Sequence, residues 1–270
     1  MMEEKYNEQS LDTLCAALCE VIGIEPPKEA AAPSKELIDY AVEKFAGRKA
    51  DRVLMYNPDA IAQWIEDKYP KFLEEMTERV ELDLPFKTVM PSVTPVCFAT
   101  MYTGAQPCVH GIQKYTKPVL TIDTIFDALI RAGKKVAIVA DDTCSIGKIF
   151  LEREMDYYIY ETIPEINAKT VELILEDKHD FIVVYHGDYD SVMHGHGPEA
   201  PISLAQLAEN SAAFSMFYEL IKNNWKQHDT LLGFAMDHGC HEIDGNNGGH
   251  GLDMTEDLNI RHHYVCLPKE

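Results

Sequence analysis

The chain has 270 residues, 46% of them hydrophobic, which suffices for one large domain or two small ones with a sizeable core and excludes intrinsic disorder. Its 24 Lys and Arg against 45 Asp and Glu leave a net charge of −21. Such a field repels phosphate backbones and anionic headgroups, which argues against nucleic-acid polymers and membranes as partners, whereas a small phosphorylated molecule met by local metal ions stays admissible.

Seven cysteines without a CxxC pair, and an N-terminus MMEEKYNEQS lacking a basic or apolar leader, predict a reduced, cytoplasmic protein. The longest clean apolar runs, such as VAIVA at 136–140, are far shorter than a bilayer span of about 20 residues, so a soluble chain is expected.

In chain order, LDTLCAALCEVIG (11–23) is amphipathic, and the proline- and alanine-rich EPPKEAAAP (25–33) separates it from the rest of the chain. Residues 1–33 therefore read as an N-terminal helical appendage, and 34–270 as the catalytic domain. Cys15 and Cys19, one helical turn apart, suit either a packed helix face or a shared ligand. From residue 34 the pattern alternates: KELIDYAVEKFAG helix, RVLMY strand, AIAQWIEDKY helix, FKTVM strand, PVCFATMYTG helix. TIDTIFDALIRAG is a helix stopped by glycine, KKVAIVA a strand, AKTVELILEDK a helix and DFIVVY a strand. A long helix at 203–224, the strand TLLGFAMD and the strand HHYVCL complete the chain. Short apolar runs alternating with amphipathic helices imply an α/β fold, a mostly parallel central sheet sandwiched by helices, with ligands beyond the carboxyl ends of the strands.

Ten of the eleven histidines fall at 179–270, several beside acids just after predicted strands. HGDYDSVMHGHGP places Asp190 and His194 four apart; Asp237 and His238 follow LLGFAM; His250 stands in the glycine-rich NNGGHG. Carboxylate oxygen together with imidazole nitrogen suits Zn²⁺ or a similar divalent ion. Each fragment alone also fits a surface pair or a capped turn; their order at successive strand ends favours the metal reading. Thr94 precedes Pro95 at the start of a helical pattern, so its hydroxyl is either an ordinary helix cap or a nucleophile whose phosphoryl target faces the positive helix end.

TPVCFATMYTGAQPCVHGI resembles the nucleophile segment of the type I phosphodiesterase/nucleotide pyrophosphatase family in the alkaline phosphatase superfamily. YHGDYDSVMHGHGP, DHG and GGHG are similar to its later motifs, in the family order. The resemblance covers roughly residues 51–263 and implies an alkaline phosphatase-like fold and a metal-dependent hydrolase of phosphodiester or pyrophosphate bonds in a small phosphorylated substrate. It further implies two divalent ions, zinc as a rule: one held by Asp190, His194 and His250, the other by Asp59, Asp237 and His238. Thr94 would form a phosphothreonine intermediate. Substrate contacts are expected from Cys97, Lys114 and Tyr115, although Lys114 and Tyr115 equally suit a solvated loop.

Some positions depart from the family pattern. Asp59 follows Asn57 and Pro58 and lacks the glycine the family places after this aspartate, so it also fits a cap for AIAQWIEDKY. Cys97 occupies a position where the family carries an asparagine, and a thiol is a poor donor to an oxyanion. No insertion is long enough for a mutase cap, and Thr94 replaces the cysteine or serine a sulfatase needs. DTCSIGK (142–148) is not a P-loop, because Asp142 stands where its first glycine belongs. The alternatives kept open are a phosphomonoesterase of the same superfamily and a catalytically silent metal- or nucleotide-binding module.

Overall fold

A computed structural model describes residues 5–245 and 247–270. It opens with β1 (Gln9–Ser10), α1 (Thr13–Ile22), α2 (Lys35–Lys44), β2 (Arg52–Pro58), α3 (Gln63–Lys68) and α4 (Glu74–Thr77). Next come β3 (Leu82–Lys87), α5 (Thr94–Thr103), α6 (Pro107–His110), α7 (Ile125–Arg131), β4 (Val136–Asp141) and α8 (Ile146–Ile149). β5 (Asp156–Tyr160), α9 (Ile163–Glu176), β6 (Phe181–His186), α10 (Asp188–His196) and α11 (Pro201–Asn224) follow. The chain then runs through β7 (Thr230–Phe234), β8 (His241–Ile243), β9 (Asn247–Gly249), α12 (Thr255–Leu258) and β10 (Asn259–Leu267).

Eight strands form one sheet in the order β1-β3-β10-β7-β2-β6-β4-β5. Every neighbouring pair is parallel except those made by β10, which is antiparallel to both β3 and β7. Strands β4, β6, β7 and β2 read as unbroken apolar runs because helices cover both sides: α9, α10 and α11 pack as one group, and α1, α5 and α7 as another. This arrangement positions the chemistry. β7, β2 and β6 are adjacent and parallel, with Tyr56 opposite Phe234 and Pro58 opposite His186, so the loops leaving their carboxyl ends are neighbours.

The elements differ from expectation in a few places. The third strand covers 82–87 rather than 86–90, since the alternation in LDLPFK fits an edge-side strand and TVM turns toward Thr94. β5 has no counterpart among the expected strands; its tyrosines are only half-buried, as suits the last strand of a sheet. The stretch before residue 33 joins the main body, with β1 paired to β3 and α1 burying Leu14, Cys15, Leu18 and Cys19 completely. Cys15 and Cys19 belong to the core, and all seven cysteines are free. Among the described residues no helix is long and apolar enough to cross a membrane.

Two buried histidines give the fold a pH dependence. Burial pushes both His186 and His262 down to about 3. Because the unfolded imidazole titrates near 6.5, the unfolded chain takes up protons that the native state refuses; stability is full above about 6.5 and falls as pH drops toward 3. Each ring then costs about 2 kcal/mol at pH 5, at about 1.4 kcal/mol per pH unit. His263 offsets part of this: Glu66 and Asp83 outweigh its burial and raise it to about 9, so the native ring stays charged while the unfolded one gains its proton only near 6.5, and its stabilisation reaches full value as pH falls below about 6.5. Urea unfolding at pH 7 and pH 5 should show the loss, and His262→Gln should make it shallower by one histidine's share. Equal slopes in the variant and the native chain contradict the assignment.

Candidate active site

Asp59 directly follows β2, and Ala60 after it takes φ 62°, the left-handed conformation that glycine adopts without strain. α3 starts only at Gln63, with Ala62 as its cap, so Asp59 is not a helix cap. Asp237 and His238 lie just beyond β7, and His250 just beyond β9. Asp190 and His194 sit one turn apart on α10 and share a face. Thr94 is the first residue of α5; Val93 is the cap position, and no side chain makes a capping bond there.

These residues converge in two clusters, Asp190/His194/His250 and Asp59/Asp237/His238, whose ligand atoms lie within 4.8 Å of one another in each. In the first, Asp190 Oδ1 is 3.3 Å from His194 Nε2 and 3.4 Å from His250 Nε2. In the second, His238 Nε2 is 3.4 Å from Asp59 Oδ1 and 3.3 Å from Asp237 Oδ2. The His238 and His250 rings stack with centroids 4.1 Å apart, which makes the clusters adjacent. Thr94 Oγ1 stands 3.4 Å from both Asp59 Oδ2 and His238 Nε2.

The donor set fits divalent cations. Asp59 Oδ1, Asp190 Oδ1 and Asp237 Oδ2 are buried without a hydrogen-bond partner, a costly state for carboxylate oxygens that a cation would relieve. Each imidazole has Nδ1 against a backbone carbonyl: His194 on Gly248 (3.0 Å), His250 on Ser92 (2.9 Å) and His238 on Gly239 (2.9 Å). A proton held there leaves the Nε2 lone pair facing inward. Crowding of acids shifts their protonation as well. Burial, then Asp190, pushes Asp59 up to about 6, and burial with Asp59 raises Asp237. At the open side, the Asp190 carboxylate beside it lifts His194 to about 9, while burial and His238 drive His250 down to about 3.

Tyr185, the penultimate residue of β6, donates its hydroxyl proton to Asp59 Oδ2. Its place at a strand end inside the second motif was the signal for it. Asn57, a polar residue in an apolar strand, accepts from Tyr102 OH (2.6 Å) and donates to Ala235 O (2.6 Å), tying α5 and the segment after β7 to β2. The amides of Val96 and Cys97 both donate to Val93 O, so the first turn of α5 presents fewer free N–H groups than an open helix end.

A cavity of about 510 Å³ adjoins Thr94, Asp59, Tyr185 and Asp190. Tyr115 is exposed and lines it; Lys114 does not, and Lys117 does. Nothing in the sequence singled out Lys117, whose Nζ donates to Thr143 O (2.6 Å) and lies 5.1 Å from the Tyr115 ring centroid. Cys97 is fully buried in the core cluster and does not line the cavity. His262 and His263 are buried in β10, and His241 pairs with Asp257 (2.7 Å).

Gly239 lets the turn carrying His238 lie flat on the backbone of α12. A Cβ there would stand 2.1 Å from Glu256 O and 3.0 Å from Ala62 Cβ. Gly239→Ala should destabilise the fold by about 1–3 kcal/mol and lower metal binding by the buried cluster, because the backbone contact cannot yield without moving His238. Urea unfolding together with metal content checks this; native values for both would show that the turn is slack.

A sequence model of the family "Type I phosphodiesterase / nucleotide pyrophosphatase" matches residues 122–263. No curated protein matches the chain. Among solved structures, murine ectonucleotide pyrophosphatase/phosphodiesterase 5 is similar at TM-score 0.59 with 16% identity, over 72% of this chain and 58% of that one. An inactive variant of the murine protein in complex with AMP and the human protein each give TM-score 0.58 at 16% identity over the same shares of both chains. The chain thus spans less than two thirds of the length of these structures, and the likeness speaks to the fold. With the family's sequence pattern running through more than half of its residues over this mostly parallel sheet, the chain belongs to the type I phosphodiesterase/nucleotide pyrophosphatase family.

Proposed function

We propose that the protein hydrolyses phosphodiester or pyrophosphate bonds of a small phosphorylated molecule, with Thr94 as nucleophile and two divalent ions, zinc by the chemistry of the donors, held by Asp190/His194/His250 and Asp59/Asp237/His238. The observation that carries this is the position of Thr94 Oγ1, 3.4 Å from two residues of the buried cluster at the start of a helix and open to a cavity. When bound, the ions supply the positive charge that acidifies the Thr94 hydroxyl and offsets phosphate charge.

The chain's own residues do the rest. Thr94 Oγ1 attacks phosphorus, forming an Oγ1–P bond as the bond to the leaving oxygen breaks, and water later cleaves the phosphothreonine. Tyr185, by donating to Asp59 Oδ2, orients that carboxylate toward Thr94. Lys117 is positioned to meet a nonbridging oxygen or the departing group. A neighbouring structure of the family's fold binds AMP, which supports a nucleotide-sized substrate for this cavity.

The cavity also favours diesters. A monoester carries an additional negative charge, yet the lining holds no arginine and one lysine, Lys117, against Asp141, Asp142, Glu161 and Asp188. Purified protein loaded with zinc should turn over an aryl diester with a higher kcat/KM than the matched monoester at one pH. A higher value for the monoester promotes the phosphomonoesterase reading, and no turnover of either promotes a silent binding module.

A further inference from the structure

A second cavity, of about 540 Å³, opens between α9 and α11 and shares Ile163, Pro164 and Asp188 with the wall of the cavity beside Thr94. His186 lines it, 3% exposed, with an Nε2 that has no hydrogen-bond partner. The polarity of that nitrogen follows from a chain of bonds. Asn210 Nδ2 donates to Gln206 O (2.8 Å), so Asn210 Oδ1 must accept, and it accepts the single proton of Tyr56 OH (2.7 Å). The Tyr56 oxygen then receives its bond from His186 Nδ1–H (2.6 Å), and Nε2 of the neutral ring is a bare lone pair.

Other groups on the lining have the same polarity. Asn167 Oδ1 is also buried without a partner, and the carboxylates of Asp188 and Glu209 complete the acceptors. Among the lining side chains the donors are the amides of Asn167, Gln206 and Asn210, the last with one N–H already given to Gln206 O, and no lysine or arginine lines the cavity. A ligand that matches this inventory brings positive charge and N–H donors together.

We propose that this cavity binds the protonated amine of a small aminoalkyl molecule, accepted by His186 Nε2 and Asn167 Oδ1 and balanced by Asp188 and Glu209. The shared wall of Ile163, Pro164 and Asp188 allows two sources for that amine: an aminoalkyl arm of the phosphorylated substrate, or a free amine acting beside the substrate. Binding itself does not depend on the hydrolase reading, so the two can fail separately.

Ethanolamine is the probe, added to the full chain at neutral pH and read by long-range ¹H–¹⁵N correlation of the histidine side chains. Ethanolamine should shift the His186 Nε2 resonance saturably, while tetramethylammonium, charged but without N–H, and 1-propanol, neutral, should not. Glu209→Gln, on an exposed position of α11, should weaken the ethanolamine response by about threefold or more. No shift with ethanolamine, equal shifts with either control, or an unchanged response in Glu209→Gln each overturn the proposal. The kinetic comparison identifies the source: if Glu209→Gln raises KM for a 2-aminoethyl aryl phosphodiester relative to its propyl analogue, the amine is part of the substrate. A KM ratio that stays constant while the ethanolamine shift persists identifies a free amine.

Discussion

Thr94→Ala should lower diester turnover by about three orders of magnitude or more, while the protein stays folded and retains its metal. The expectation rests on geometry particular to this residue. Its Oγ1 stands 3.4 Å from Asp59 and from His238, and the residue is 4% exposed at the edge of the cavity. The hydroxyl makes no capping bond, so its removal costs the helix little. Thr94→Ser keeps the oxygen and should retain activity within about two orders of magnitude, the loss coming from a hydroxyl freer to rotate without the methyl group. Acid-quenched turnover mixtures of the native chain should contain phosphorylated Thr94 by peptide mass analysis. A Thr94→Ala protein that hydrolyses diesters at the native rate would reduce Thr94 to the opening residue of α5.

Chelation is the second large effect. Purified protein should take up two divalent ions per chain, and their removal should abolish turnover, since the two clusters hold three unpartnered buried carboxylate oxygens between them. Burial predicts the order of loss. Asp59, Asp237 and His238 are all but sealed from solvent, whereas the side chain of His194 is 45% exposed, so mild chelation should first empty the cluster of Asp190, His194 and His250. Protons compete with the buried ion. Asp59 titrates at about 6 and Asp237 is also raised, so affinity should fall as pH drops through that range and binding should release protons. Asp237→Asn preserves shape but removes a charge, and elemental analysis should find one ion fewer. An Asp237→Asn protein that still holds two ions, or a native chain that holds one after zinc loading, refutes the two-ion site.

Local pattern determined a good part of this protein. Four- to six-residue apolar runs between amphipathic segments were enough to identify the buried strands β2, β4, β6 and β7 and the long helix α11, because a strand covered on both faces has no polar positions to confuse its period. The residues that converge in the two clusters were legible too, since an acid or histidine just beyond such a strand has few structural reasons to recur in so regular an order.

What the sequence could not contain is which segments meet. The place of β2 between β7 and β6 puts Asp59 in the same cluster as Asp237, 178 residues away, and that follows from strand order, a property of the whole sheet. The same holds for α1, whose apolar face announced burial without naming its partner, and for β5, where an edge position left the tyrosines half-wet and blurred the strand signal. Side-chain direction was equally out of reach. Cys97, three residues beyond Thr94 on α5, is sealed in the core cluster and lines no part of the cavity, while Lys117, with no motif around it, does line it. Residues three apart on a helix share a face, so what covers Thr94 and Cys97 is decided by the elements packed against them, and on a loop only the packing of the chain around it decides where a lysine ends.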